Sequence, residues 1–161
     1  MAREYINASH SKNVEIQNAK GLCFGIVVSK WNNDITNNLF KGAYETLIKH
    51  GVDDKDILKY EVPGSYELIF GAKIASKKNP DAIICLGSII KGETMHFNYV
   101  CSSVSSGIKD LNIKLDIPVI FGVLTDNNIN QAINRSGGKL GNKGVEAAIT
   151  AIEMAILNMK S

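Results

Sequence analysis

Between residues 86 and 97 the chain reads LGSIIKGETMHF, which ends an apolar run and then sets Lys91, Gly92, Glu93, Thr94 and His96 close together. A cation, an acid, a hydroxyl and an imidazole in so short a stretch can hold an anion and move protons. Free N–H groups at a helix start form an anion site, and a glycine such as Gly92 lets backbone approach a ligand closely. An imidazole, with an unperturbed pKa of about 6.5, exchanges protons at neutral pH. A plainer reading is a capped helix start, with Thr94 or Glu93 in the first turn and His96 a partly buried polar residue. The other histidines have structural explanations: His50 precedes Gly51 at a helix C-terminus, where a cation suits the dipole, and His10 lies in a polar N-terminal stretch.

Trp31, the sole tryptophan, is either a core indole or a platform on which a flat heterocycle stacks. Asn32 beside it can hydrogen-bond a polyol or cap a helix. Glu67, just after PGSY, is either a first-turn acid favoured by the helix dipole or a grip for hydroxyls. Arg135 ends a short helix beside glycines, where its guanidinium can pair a phosphate in two-pronged fashion or simply complement the dipole. Lys143 and Glu146, spaced i, i+3 at a helix start, can be no more than a surface ion pair worth ~0 to 1 kcal/mol.

These residues need a scaffold, and the hydrophobic pattern supplies one. Residues 22–28, 56–62, 82–87 and 118–124 are β-rich apolar runs. Between them lie helical patterns: Ile35, Leu39, Ala43 and Leu47 recur every four residues, with Asn33 or Asp34 as a cap. A second helix runs through YELIFGAKIASKK, and Phe97, Val100, Val104, Ile108 and Leu111 mark a third. A short helix near NINQAINR, a Gly/Lys loop SGGKLGNKG and a last helix VEAAITAIEMAILN complete the chain. Alternating strands and helices predict a three-layer α/β/α sandwich, a four-stranded parallel sheet with helices on both faces. In such sheets ligands bind outside the carboxyl ends of the strands. KWNN, PGSYE, SIIKGETMH and TDNN follow those ends, so the polar and aromatic candidates fall on the sheet's binding edge.

The last helix carries Glu146, Thr150 and Glu153 as one polar stripe, while Val145, Ala148, Ile149, Ala151, Ile152, Ala155 and Ile156 wrap most of its circumference. Such a helix is buried on more than one side, which points to a subunit contact unless it packs wholly within its own fold.

Composition narrows the function classes. A chain of 161 residues suits one domain and can bury roughly 70% of its unfolded surface. We expect residues 1–20 to form a polar tail and residues 21–161 a single domain. With 18 basic and 16 acidic residues, and no basic block interleaved with aromatics, no nucleic-acid footprint is visible. Cys23, Cys85 and Cys101 lack CxxC or zinc spacing and read as reduced core thiols. No apolar stretch approaches ~20 residues and no leader pattern is visible, so a cytoplasmic, non-membrane protein is expected. GGKLGNKG is not a phosphate-binding P-loop, because no Ser or Thr follows Lys143 and no strand precedes it. No GxGxxG follows a strand, and no metal or other cofactor is indicated.

Taken in order, IVVSKWNNDIT, VPGSYE, LGSIIKGETMHFNYV, IPVIFGVLTDNN and GNKGVEAAITAIEMA resemble the lumazine synthase family of riboflavin biosynthesis, from about Leu22 to Met159. The resemblance implies a flavodoxin-like fold and a transferase that condenses 5-amino-6-(D-ribitylamino)uracil with 3,4-dihydroxy-2-butanone 4-phosphate. The product is 6,7-dimethyl-8-ribityllumazine, with phosphate and water released. It implies that Trp31 stacks on the pyrimidine, that Asn32, Ser65, Tyr66 and Glu67 hold the ribityl chain, and that Ser88, Ile89 and Ile90 present backbone groups to the ring. Glu93 and Thr94 bind phosphate through their N–H groups and His96 donates protons. From a neighbouring subunit, Phe121 lines the pocket, Arg135 clamps the phosphate and Lys143 approaches the ring. Trp31 stands where the family commonly has Phe, Lys91 where Arg is frequent, and Glu146 where Asp also occurs.

Family members form homopentamers, in many cases closed into an icosahedral shell, and their N-terminal tail adds to a neighbour's sheet. The short GGKLGNKG connection favours the shell, and riboflavin synthase as an enclosed partner stays open. Two rival readings are a non-catalytic flavin or pteridine carrier of flavodoxin-like fold and a shell protein without activity. A carrier has no use for an anion clamp beside a proton donor, and an inactive shell protein would share the assembly but form no lumazine.

Overall fold

A computed structural model describes residues 17–161. The expected pairing of the N-terminal tail with a neighbour falls mainly on residues 1–16, outside the described ones. Within the range, Ala19 is buried and its N–H donates to the His50 carbonyl at 2.8 Å, so the chain is already part of the packed unit there.

The elements run β1 (Phe24–Ser29), α1 (Asn33–Lys49), β2 (Ile57–Val62), α2 (Leu68–Ser76), β3 (Ala82–Ile90), α3 (His96–Lys114), β4 (Val119–Asp126), α4 (Ile129–Arg135), β5 (Ser136–Gly138), β6 (Gly141–Asn142) and α5 (Lys143–Met159). Four strands form a parallel sheet of order β2-β1-β3-β4. β1 and β3 are central, and every residue of β1 is buried, as expected for a strand covered on both faces. Alternation then divides the core. Ile26, Ile84, Leu86 and Ile120 face α1 and α5 with Leu39, Ala43, Leu47, Ala148 and Ala151. Val27, Ile83, Cys85 and Val123 face the other layer with Leu68, Ala72, Val104 and Ile108 of α2 and α3. This is the expected three-layer sandwich.

The differences from the sequence reading are local. β3 continues to Ile90, so Ser88, Ile89 and Ile90 are strand residues paired with Leu124, Thr125 and Asp126. The Gly/Lys loop contains the small β5–β6 hairpin. The cap of α1 is neither Asn33 nor Asp34 but Asn32, whose side chain makes no cap hydrogen bond. His50 does not act as an exposed C-terminal cation: it is buried, its Nδ1 faces the Thr46 carbonyl at 3.1 Å, and burial, then the Lys49 charge, push its pKa down. Of the cysteines only Cys85 is a core thiol, pushed up to about 12 by burial; Cys23 and Cys101 are half-buried.

The last helix is largely satisfied within its own fold, since Ala147, Ala148, Ala151, Ile152 and Ala155 are buried against α1 and the sheet. Met154, Leu157 and Met159 remain exposed at its far end. Its start is held tightly. Asn142 Oδ1 accepts from the Gly144 N–H at 2.8 Å while Asn142 Nδ2 donates to the Asn38 carbonyl at 3.0 Å, so one side chain caps α5 and ties it to α1. The GNKG motif is therefore a clasp between helices.

Candidate active site

An open cleft of about 610 Å³ lies outside the carboxyl ends of β1, β2 and β3. Trp31 and Asn32 follow β1, Gly64 to Glu67 follow β2, and Ser88, Ile89, Ile90, Gly92 and Thr94 come from the end of β3 and the segment after it. His96, at the first position of α3, completes the wall. Ten of the expected site residues thus share one cavity: Trp31, Asn32, Ser65, Tyr66, Glu67, Ser88, Ile89, Ile90, Thr94 and His96. TDNN, at the end of edge strand β4, does not line it.

Each of these is placed by local physics. Pro63 and Gly64 stop β2, and the Glu67 carboxylate accepts the Gly64 N–H at 2.9 Å, bending the segment into a tight turn that leaves the second carboxylate oxygen for a ligand. Ser65 is buried against β3, where a Cβ on Gly87 would fall 2.6 Å from its hydroxyl oxygen, so Gly87 is what lets the turn close onto the strand. At the start of α3 the His96 N–H meets Thr94 Oγ1 at a long 3.4 Å, and no side chain caps the helix in the manner of Asn128 or Asn142. That terminus can take an anion. His96 itself is exposed rather than partly buried, and its ring is available to a ligand in the cleft.

Trp31 is 72% exposed, Tyr66 57% and Tyr99 69%, so among the described residues the cleft offers largely uncovered aromatic faces. Tyr99, Val100 and Ser103 join the lining at i+3, i+4 and i+7 from His96, along with Phe97. The sequence pattern reads Phe97 and Val100 only as marks of the third helix, and it does not single out Tyr99 and Ser103. The helical spacing from His96 was the signal that points to them.

Glu93, exposed beside Gly92, is not among the lining residues. Nor are Phe121, Arg135 and Lys143. Phe121 lies on β4 and packs against the α2/α3 core. Arg135 and Lys143 meet at Glu146: Arg135 donates to its two carboxylate oxygens at 2.9 and 3.1 Å, and Lys143 donates to one of them at 3.2 Å. Arg135 also donates to the Leu140 carbonyl at 2.6 Å. The surface ion pair read from Lys143 and Glu146 is thus a three-member, largely buried cluster, with the Glu146 side chain only 11% exposed. Burial pushes the Glu146 carboxyl up, but the Arg135 hydrogen bonds and charge, with Lys143, outweigh it and hold the pKa below the usual range. Nearby Asp126 shifts the opposite way, raised by burial with Arg135 offsetting only part of it, and its buried Oδ2 has no hydrogen-bond partner among the described residues.

Among the described residues no helix is long and apolar enough to cross a membrane, and no group of His, Cys, Asp and Glu could hold a metal ion. Order β2-β1-β3-β4, helices on both faces and a ligand cleft at the carboxyl edge define a flavodoxin-like α/β protein. Within that class the relatives are specific. The family model of 6,7-dimethyl-8-ribityllumazine synthase matches residues 21–159. A protein of that name from Flavobacterium johnsoniae is 54% identical over 162 aligned positions, covering 100% of this chain and 85% of the relative. One from Christiangramia forsetii is 55% identical, covering 98% of this chain and 95% of its own, and one from Phocaeicola vulgatus is 51% identical, covering 96% and 92%. The chain belongs to the 6,7-dimethyl-8-ribityllumazine synthase family.

Proposed function

We propose that this chain condenses 5-amino-6-(D-ribitylamino)uracil with 3,4-dihydroxy-2-butanone 4-phosphate in the cleft at Trp31 and His96, forming 6,7-dimethyl-8-ribityllumazine and releasing phosphate and water. The observation that carries this reading is the shared cavity. An exposed indole, a buried serine with a half-committed glutamate, and an imidazole at an uncapped helix start line one wall-to-wall space.

Trp31 stacks on the pyrimidine, Asn32, Ser65, Tyr66 and Glu67 hold the ribityl hydroxyls, and the backbone of Ser88 to Ile90 meets the ring edge. Glu93 and Thr94 offer N–H groups to the phosphate. The uracil's amine attacks the ketone and water leaves as the imine forms. Phosphate is then eliminated, the resulting enol tautomerises to a carbonyl, and the ribitylamine nitrogen closes the second ring on that carbonyl with loss of a second water. His96 moves protons between these groups. General acid–base help is typically ~10² to 10⁴-fold, whereas holding two reactants together supplies effective molarities up to ~10⁵ to 10⁸ M, so positioning dominates the rate.

Phe121, Arg135 and Lys143 serve the site of an adjoining protomer in a homopentamer. Supporting this are the uncovered aromatic faces of the cleft, the position of all three residues on β4 or the elements after it, and the exposed Phe70 and Ile74 on α2. Assembly into an icosahedral shell extends the same reading. Mixing the protein with both substrates and following the lumazine's absorbance and fluorescence tests the activity; binding of the heterocycle without turnover would leave a carrier instead. Native mass measurement separates pentamer, shell and free protomer.

A further inference from the structure

Asn32 is one of two non-glycine residues with positive φ among those described. The other, Asn79, follows α2 in a C-terminal turn, where that conformation is ordinary. Asn32 instead opens a helix, with φ 57 and ψ 50, where an extended residue with a capping side chain is usual. Its side chain does not cap α1. The amide reaches across the sheet and donates from Nδ2 to the Ser88 carbonyl at 3.0 Å.

The backbone bonds on either side explain what this achieves. β1 stays attached to β2 past its own end, through Lys30 N–H to Val62 O at 2.8 Å and Trp31 N–H to Pro63 O at 3.1 Å. Its pairing with β3 stops earlier, at Val28 and Leu86. Without a further link, the turn carrying Trp31 would be tethered on one side only. The Asn32 amide supplies the missing link on the β3 side, at the strand end that forms the facing wall of the cleft. Asparagine suits this position because it tolerates the left-handed region better than other side-chain-bearing residues and brings a donor on a short arm.

We propose that Asn32 is a positioning residue for the ring subsite: it holds the Trp31 turn at a fixed separation from the Ser88–Ile90 edge, so that the slot for a flat heterocycle exists before the ligand arrives. The inference rests on the reading of the cleft as the site of the pyrimidine, and it assigns Asn32 a task in the ligand-free protein beyond contacting the ribityl chain. Among the described residues nothing donates to its Oδ1, which can accept a hydroxyl.

The test compares the parent with Asn32→Gly, which keeps the left-handed backbone and deletes the amide, and Asn32→Asp, which tolerates the backbone but sets a carboxylate against the Ser88 carbonyl. Two measurements are made: amide hydrogen exchange at Lys30 and Trp31 without ligand, and steady-state kinetics with each substrate varied. Both variants are expected to exchange at least about tenfold faster at those amides, with a melting temperature within a few degrees of the parent. The KM for the pyrimidine should rise about tenfold while the KM for the phosphorylated ketone and kcat stay within about threefold. Parental exchange in both variants overturns the inference, even with a raised KM, because it leaves Asn32 as a ligand contact only. Faster exchange with a parental pyrimidine KM also overturns it. If the parent makes no lumazine, the proposed function fails, and the exchange measurement still decides whether Asn32 holds the turn.

Discussion

Gly144 sits in the first turn of α5, against the α1 backbone at Leu39. A Cβ placed on it would lie 1.9 Å from the Leu39 carbonyl oxygen, 2.7 Å from the Leu39 carbonyl carbon and 3.0 Å from Asn142 Oδ1. Two of these are backbone atoms in a helix and cannot turn aside. Restoring ordinary contact requires the helices to part by roughly 1.5 Å, loosening Leu39, Ala43 and Leu47 from Ala147, Ala148 and Ala151. Overpacking of this kind costs about 1–3 kcal/mol and at times more, while alanine in place of glycine returns about 0.5–1 kcal/mol of helix propensity. With rigid backbone on the other side we place Gly144→Ala near the upper end, a net loss of about 2–3 kcal/mol. At about 2–4 °C per kcal/mol for a chain of this size, the melting temperature falls by about 4–12 °C. Calorimetry at one fixed protein concentration measures it, because the midpoint of any self-associating protein moves with concentration. Gly107→Ala is the internal comparison. Its Cβ would meet Ile69 Cδ1 and Cγ1, the latter at 2.7 Å, but these belong to a half-buried side chain and not to helix backbone, so the midpoint should move less than for Gly144→Ala. A Gly144→Ala protein melting within 2 °C of the parent would refute the view that this contact sets the α1–α5 distance.

Glu146→Gln keeps the volume and loses the charge that Arg135 and Lys143 share, so the variant should melt about 2–8 °C lower at pH 7. Because the folded-state pKa of Glu146 is depressed, its contribution is fully present above the unfolded value and disappears as pH falls through the folded one. The gap between parent and variant should therefore close as melts are taken down from pH 5 to pH 3, and a gap that widens would contradict the cluster's role. Arg135→Lys preserves charge but not the two-pronged geometry, and is expected to raise the KM for the phosphorylated ketone about 10- to 100-fold with little change for the pyrimidine. His96→Ala should slow turnover by about 10²-fold or more and leave measurable lumazine formation. Complete inactivation of a folded His96→Ala protein would show that proton transfer, and not positioning, dominates.

Much of this protein is legible along the chain because the signals are local. Apolar runs alternating with a four-residue recurrence dictate a parallel sheet covered on both faces, and the carboxyl ends of such strands collect whatever follows them. That rule puts KWNN, PGSYE and SIIKGETMH at one edge, the family resemblance singles out Ser65, Tyr66 and Ser88 to Ile90 within them, and residues of all three segments share one cleft. Folding decided what depends on partners distant in sequence. Strand order put β4 beyond β3 and out of contact with β1, so TDNN, in the same sequence context as the other turns, misses a cavity built around the end of β1 and its neighbours β2 and β3. Glu146 reads as a surface partner of Lys143 until Arg135, carried by the preceding helix, closes on it and buries the group. Asn32 reads as a helix cap or a ligand contact, and only the ending of the β1–β3 ladder at Leu86 gives its amide the Ser88 carbonyl to hold. Periodicity records which face of an element is buried; it carries no record of which remote atoms complete a hydrogen bond or an ion pair, since those are brought together by the sheet's topology.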